Sequence, residues 1–284
     1  GWQMDFDSGV LERIAQRFRR DMWESVVPEA VTESGIEVGG FGPVQATAFG
    51  DLPEAHSLNQ IQGAAEPGAV EGGHLAEAVE WMRAREVDYR VPVAESRPGA
   101  AEAKAWLGRR GYERGGGWIK LVRDTSAPQL PVDPAITIYE VGEYEEDGEG
   151  LSAIAAEGLD LPVTAGTLFF SLPQKEHWRC YTAALDAEEG VVATASMMLC
   201  GGIAQLGLGT TLEHARGHGC YTALLRRRLL DAAAAGCRSV FVELGECDAD
   251  SLFAVCRLLH GAGFREAYES HNWQRPALHP ARVY

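Results

Sequence analysis

Arg216-Gly217-His218-Gly219-Cys220-Tyr221-Thr222 is the stretch whose residue types and spacing carry the plainest chemistry. Glycines at 217 and 219 let the backbone curl so that successive N–H groups converge on one point. A helix opening directly behind them adds uncapped amides and a partial positive charge. Arg216 sets a forked cation beside those donors, in the geometry that suits phosphate oxygens. The stretch predicts an anion site for a phosphate-bearing ligand. Groups for proton transfer are fewer. Glu243 closes the apolar run 239–244 and would serve as a general base if desolvation raises its pKa. It reads equally well as a strand-end glutamate making a hydrogen bond. Ser251 and His260 flank the last helical pattern and are further catalytic candidates, although a helix-end histidine often only touches its own carbonyls. His214 and His218 stand four apart like a zinc pair, but Gly217 breaks the helix that would align them, so no metal is expected. Cys220 and Cys247 lack a histidine and acid set that would make either a nucleophile.

The elements that position these residues follow from periodicity. An apolar segment, 203–212, reads as a strand leading into the loop, and 221–235 carries the spacing of an amphipathic helix closed by Gly236. Tyr221, Leu225, Leu229 and Ala232 would face a sheet, leaving Arg226 and Arg227 towards water or ligand. Gly207 and Gly209 weaken the strand and so mark a bulge or the close approach of another chain. Residues 178–185 and 191–199 read as the two preceding strands.

Three loop patterns compete for the ligand. A P-loop requires a Gly-Lys pair, and the chain contains none. A dinucleotide fingerprint is nearly met at Gly207-Leu208-Gly209 and at Gly217-His218-Gly219, with Glu243 available to a ribose hydroxyl. That fold wants its glycines at the strand's end, whereas Glu213-His214-Ala215 intervene here. The third pattern is Gln/Arg-x-x-Gly-x-Gly/Ala. Arg216 to Gly219, followed by Thr222-Ala223-Leu224-Leu225, resembles the coenzyme A loop of the GNAT superfamily of acyltransferases. The order downstream is similar too: strand 239–244, helix 251–260, and a Gly263-Phe264 turn into the final strand.

The resemblance implies an α/β fold of two tandem GNAT-like domains, each a mixed, mostly antiparallel sheet flanked by helices. It implies acyl transfer, favouring acetyl, from acetyl-CoA or another acyl-CoA as cosubstrate to an amine, with no metal. Leu208, Gly209, Thr210 and Thr211 would offer backbone groups to the pantetheine arm. Arg216, Gly217, His218, Gly219, Cys220, Tyr221 and Thr222 would hold the pyrophosphate. A strand amide near Leu208 would supply an oxyanion donor. Two departures stand out. Tyr221 occupies the last Gly/Ala slot of the loop. The tyrosine that the superfamily often places five residues before the Phe of the Gly-Phe turn is Leu259 here.

The 284 residues suit two domains of ordinary size. The proline-rich stretch 124–134 reads as a linker, dividing a domain at 4–123 from one at 135–284. The first half repeats the second in order: helix 73–85, strand 87–93, helix 98–110, a Gly111-Tyr112 turn and strand 118–123. Its own loop, 60–73, carries Glu66 and Glu71 with no Arg-x-x-Gly-x-Gly, so it reads as a degenerate copy without pyrophosphate binding. Gly1-Trp2-Gln3 ahead of Met4 is set aside from the functional reading.

A formal net charge of −16 argues against nucleic acid and anionic membrane as partners. It suits a cationic small-molecule amine as acceptor, while Arg216, Arg226, Arg227 and Arg228 would make the coenzyme region locally basic. The acidic run Glu140, Glu143, Glu145, Glu146, Asp147, Glu149 is either a solvated face or the rim of an amine site. No run spans a bilayer, no secretory signal is present, and six cysteines without a Cys-x-x-Cys pair suit reduced thiols, so a cytoplasmic location is expected. Two other functions fit the same residues: an NAD(P)-dependent oxidoreductase, and a catalytically silent acyl-CoA-binding or scaffold protein.

Overall fold

The computed structural model describes residues 6–25, 35–142, 145–158, 169, 171–245 and 249–276, without the side chains of 145–149 and 249–252. Cys247, and the side chains of Ser251 and of the acidic run beyond Glu140, therefore lie outside the described residues.

The first half consists of α1 (Ser8–Glu24), β1 (Ile36–Phe41), β2 (Val44–Phe49), β3 (Gln60–Gln62), α2 (His74–Ala84), β4 (Val91–Ala94), α3 (Ala100–Arg109) and β5 (Glu113–Asp124). The second consists of β6 (Ile136–Glu140), α4 (Glu145–Gly158), β7 (Trp178–Leu185), β8 (Val191–Cys200), β9 (Ile203–Thr211), α5 (Cys220–Ala234), β10 (Ser239–Leu244), α6 (Ala249–Gly261) and β11 (Arg265–Gln274). Asp7 caps α1, its carboxylate accepting from the amides of Gly9 and Val10. α1 buries Leu11, Ile14, Ala15, Phe18 and Met22, the three-and-four spacing of one helical face.

Strands β1-β2-β3 form a three-stranded antiparallel sheet, and the other eight run in the order β4-β11-β5-β10-β9-β8-β7-β6. An isolated parallel bridge between Gln60 and Arg90 joins the two sheets. Within the large sheet only β9·β10 is parallel. The strand order shows that the halves exchange their last strands. β5 lies between β10 and β11, and β11 lies between β4 and β5. Pairing with β11 also explains why β5 begins at Glu113 rather than at 118. Gly117 faces His271, and Arg114 and Glu113 face Trp273 and Gln274. The glycines of that stretch read as turn material when no partner strand is in view.

Three apolar clusters stabilise this arrangement. One joins α1 and α4 to the sheet through Phe18, Trp23, Leu151 and Trp178. A second lies beneath α5 and α6, and a third fills the first half around Leu75, Met82 and Leu107. The five described cysteines are free thiols. No described helix is long and apolar enough to cross a membrane.

Candidate active site

The site grows from the point where β9 parts from β10. Their parallel pairing runs from Ile203–Ser239 to Leu206–Val242 and stops there. On its other edge β9 bulges against β8: Thr194 faces Thr210, but Ser196 faces Gly207, so two residues of β9, Leu208 and Gly209, stand against one of β8. Leu208 takes φ 50°, a left-handed backbone that a branched side chain adopts only when its surroundings impose it. Beyond the parting, β10 pairs Glu243 and Leu244 with Lys120 and Ile119 of β5. The gap holds a cavity of about 300 Å³, lined by Gly207 to Thr210 on one side, Val242 to Leu244 on the other, and Tyr221 and Arg228 from α5. The bulge foreseen from the two glycines is present, and each glycine has a steric reason. A Cβ at 207 would lie 2.3 Å from the ring of Phe18, and one at 209 would lie 3.2 Å from the ring of Tyr221.

After β9 a single 3-10 turn, Glu213–Ala215, leads to Arg216, whose Nε donates to the Thr211 carbonyl at 3.2 Å and draws the loop back on itself. Gly217 and Gly219 take φ 81° and 89°. Gly219 is the N-cap of α5 and no side chain caps the helix, so the first-turn amides of Cys220, Tyr221 and Thr222 remain available to a ligand. Beside them, Pro131 to Pro134 wall a groove over Gly219, Thr222 and Ala223. Tyr221 stands where the loop pattern has Gly or Ala, and its ring lies on Gly209. The small residue has in effect moved from the helix to the strand facing it. His218 and His214 are both exposed on this loop, and His214 lies 3.7 Å from Glu188. Cys220 is buried, and burial, reinforced by Asp133, pushes its thiol up, away from the nucleophilic thiolate.

The basic region expected around Arg226, Arg227 and Arg228 takes a different form. Arg227 is neutralised by Asp231 at 2.9 Å and Glu140 at 3.6 Å. Arg228 is turned inward, 2% exposed, because it follows Leu224 by one helical turn and shares its buried face. Arg216 and the helix terminus place positive charge at the loop itself, and Arg226 is half-buried further along α5.

Glu243 lines this cavity and also a second, of about 30 Å³, between α1 and the central strands. Its carboxylate bonds Lys120 of β5, which also lies 3.4 Å from Glu12 of α1. Tyr268 donates to Glu12 at 2.9 Å, and Arg19 sits 5.8 Å over the Trp118 ring. Burial would raise the pKa of Glu243, but the charges of Lys120 and Arg19 and the Lys120 hydrogen bond outweigh it and hold the carboxyl below its usual range. Burial likewise opposes the charge of Lys120, and Glu12 and Glu243 overcome it, so that pKa is raised. The expectation that desolvation makes Glu243 a base is thus reversed by neighbours from the first half. A carboxylate held low is a weak proton acceptor, and two anions against two cations leave a balanced wall.

His260 is exposed at the C-terminal end of α6, where its carbonyl accepts from Arg265 at 3.2 Å, and it lines neither cavity. Ser251 falls in the first turn of α6. Leu259, in the slot where the superfamily often has tyrosine, is wholly buried beside Phe264. Among the described residues no three His, Cys, Asp or Glu side chains cluster to hold a metal. In the first half, Gly73 begins α2 with φ 75°, like Gly219 in the second, but its loop is filled by Glu66, bound to Arg97 at 2.7 Å. Sequence reasoning missed Glu12 and Arg19 of α1 and Lys120 of β5, which lie far from Glu243 in the chain; the placement of β5 beside β10 brings Lys120 against Glu243.

No family model matches the chain, and no curated protein matches it. Solved structures do. A GCN5-related N-acetyltransferase from Kribbella flavida is similar with a TM-score of 0.56 at 18% identity, covering 94% of this chain and 97% of that one. One from Sphaerobacter thermophilus gives 0.57 at 14% identity, over 92% and 93%. A tandem GNAT protein from the clavulanic acid biosynthesis pathway gives 0.57 at 18% identity, over 81% and 77%. At such identities the likeness speaks for architecture, and it extends over both halves. The chain has the tandem GNAT fold, with the parted strands and the glycine loop that opens α5 in its second half.

Proposed function

We propose that this chain is an acyl-CoA-dependent N-acyltransferase that moves an acetyl group from acetyl-CoA to the amine of a small molecule. The observation that carries the reading is the coincidence of a bulged, parted β9 with an uncapped helix start ten residues further on. One offers peptide groups along a cleft, and the other offers amides and Arg216 at its mouth. A long ligand with a phosphate end and an amide-bearing arm matches that pair. In this reading the pyrophosphate lies on the amides of residues 217–222, and the pantetheine arm pairs with residues 208–211 as a missing strand would. The thioester oxygen takes an amide near Leu208, where negative charge develops as the amine adds. A cationic acceptor fits the net charge of −16.

Thermal stabilisation tests this directly. A ligand that binds only the native state raises the melting temperature at saturation. Acetyl-CoA is expected to stabilise the wild type and to do so less in Arg216→Ala, with thiol release following when primary amines are added. Stabilisation by NAD(P)H alone would overturn the reading in favour of an oxidoreductase. Stabilisation by acetyl-CoA without thiol release would leave an acyl-CoA-binding protein.

A further inference from the structure

Arg228 is a buried cation that meets no anion among the described residues. Its Nε donates to the Leu224 carbonyl and one Nη to the Ser196 carbonyl, each at 3.2 Å, and its positive charge acts on Tyr221. Among the described residues no carboxylate pairs with it. Burying a cation without a counter-ion is costly in the resting state, and such a cation is placed to stabilise negative charge that develops at the site during function. Tyr221 and Arg228 both line the cavity between β9 and β10. The slot in α6 from which a tyrosine would reach the same region holds the buried Leu259.

Resting on the acyltransferase reading, we infer that Tyr221 is the proton donor to the departing thiolate, with Arg228 as its positioning residue. The acceptor nitrogen forms a bond to the thioester carbon, and its surplus proton passes to water. When the C–S bond breaks, its electron pair goes to sulfur, and the Tyr221 O–H proton joins it to give the free thiol. The phenolate left behind is held by Arg228 and regains a proton from water. Burial raises the Tyr221 pKa and Arg228 opposes that rise, so the hydroxyl is protonated at neutral pH. The other charged or titratable groups facing the pair are Tyr181, bonded to Asp231 at 2.6 Å, and Glu243 with Lys120 across the cavity.

The test is Tyr221→Phe, which keeps the ring on Gly209 and removes only the hydroxyl. Turnover is read by thiol release from acetyl-CoA with a panel of primary amines, and binding by acetyl-CoA stabilisation. Loss of kcat by about 100-fold is expected, with KM and stabilisation unchanged and the alkaline limb of the wild-type profile absent. Arg228→Lys, which keeps a cation in place, is expected to lose less kcat than Arg228→Met. If Arg228→Met does not fold, Tyr221→Phe and Arg228→Lys carry the test. A Tyr221→Phe enzyme with wild-type kcat and an intact alkaline limb overturns the inference and leaves the acyltransferase reading standing. A wild type that releases no thiol overturns both.

Discussion

Lys120, on the last strand of the first half, is buried against Glu243, on the strand that borders the cavity in the second. Neither half contains both members of the pair, so the wall of the site exists only when the two are assembled. The sign of its pH dependence follows from Glu243. Its folded pKa lies below the ordinary value of 4.5, so its stabilisation is complete above that value and lost as pH falls through the folded one. The melting temperature of the wild type is therefore expected to fall on the acid side of pH 4.5. Glu243→Gln is expected to flatten that fall and to cost about 3 kcal/mol at neutral pH, because Lys120 then lies buried with Glu12 alone. Melting curves of both proteins from pH 3 to 8 decide it. An unchanged acid limb in the variant would remove Glu243 from the account.

Gly207→Ala tests the packing of α1 on the parted strand. The added methyl would meet the Phe18 ring at 2.3 Å. A destabilisation of about 1–3 kcal/mol in urea unfolding is expected, as for an overpacked core site. Combining it with Phe18→Leu should recover part of the loss, since the two changes share one contact.

Separation of the halves tests the strand exchange. A fragment of residues 135–284 lacks β5, leaving β10 open on one edge and β11 with neither neighbour. Such a fragment is expected to show no cooperative thermal transition by circular dichroism, while the full chain does. A sigmoidal melt of the fragment would refute the shared sheet.

Asp231 gathers three partners: Tyr181 at 2.6 Å, Arg227 at 2.9 Å and Arg179 at 3.3 Å. Asp231→Asn is expected to cost about 1–3 kcal/mol in urea unfolding, since two cations lose their shared anion. Arg227→Ala should cost less in that background than in the wild type. Full additivity would show that the three contacts are independent.

Where sequence and structure agree, the signal was local. The glycine turn that opens α5, the bulge at Leu208–Gly209 and the Gly263-Phe264 turn each depend on a few adjacent residues, and strand 239–244 was legible to the residue. Arg228 could have been found. Tyr221, Leu225, Arg228 and Ala232 follow one another at steps of four and three, the spacing of a single helical face, so an arginine on it is a buried one. The exchange of β5 and β11 left no such mark. An alternating strand states which face is apolar and says nothing of which strand lies beside it, so Lys120 and Glu243 remain unrelated until the sheet is built.

The exchanged strands also set an order on synthesis. β4 and β5 are made early, but the strand that fills the space between them ends at Gln274. At about 5–20 residues per second, the 150 residues from Asp124 to Gln274 take roughly 8–30 s to leave the ribosome. Throughout that interval β4 and β5 hold open the edges that β11 will fill, and the nascent chain must keep those edges from pairing with anything else.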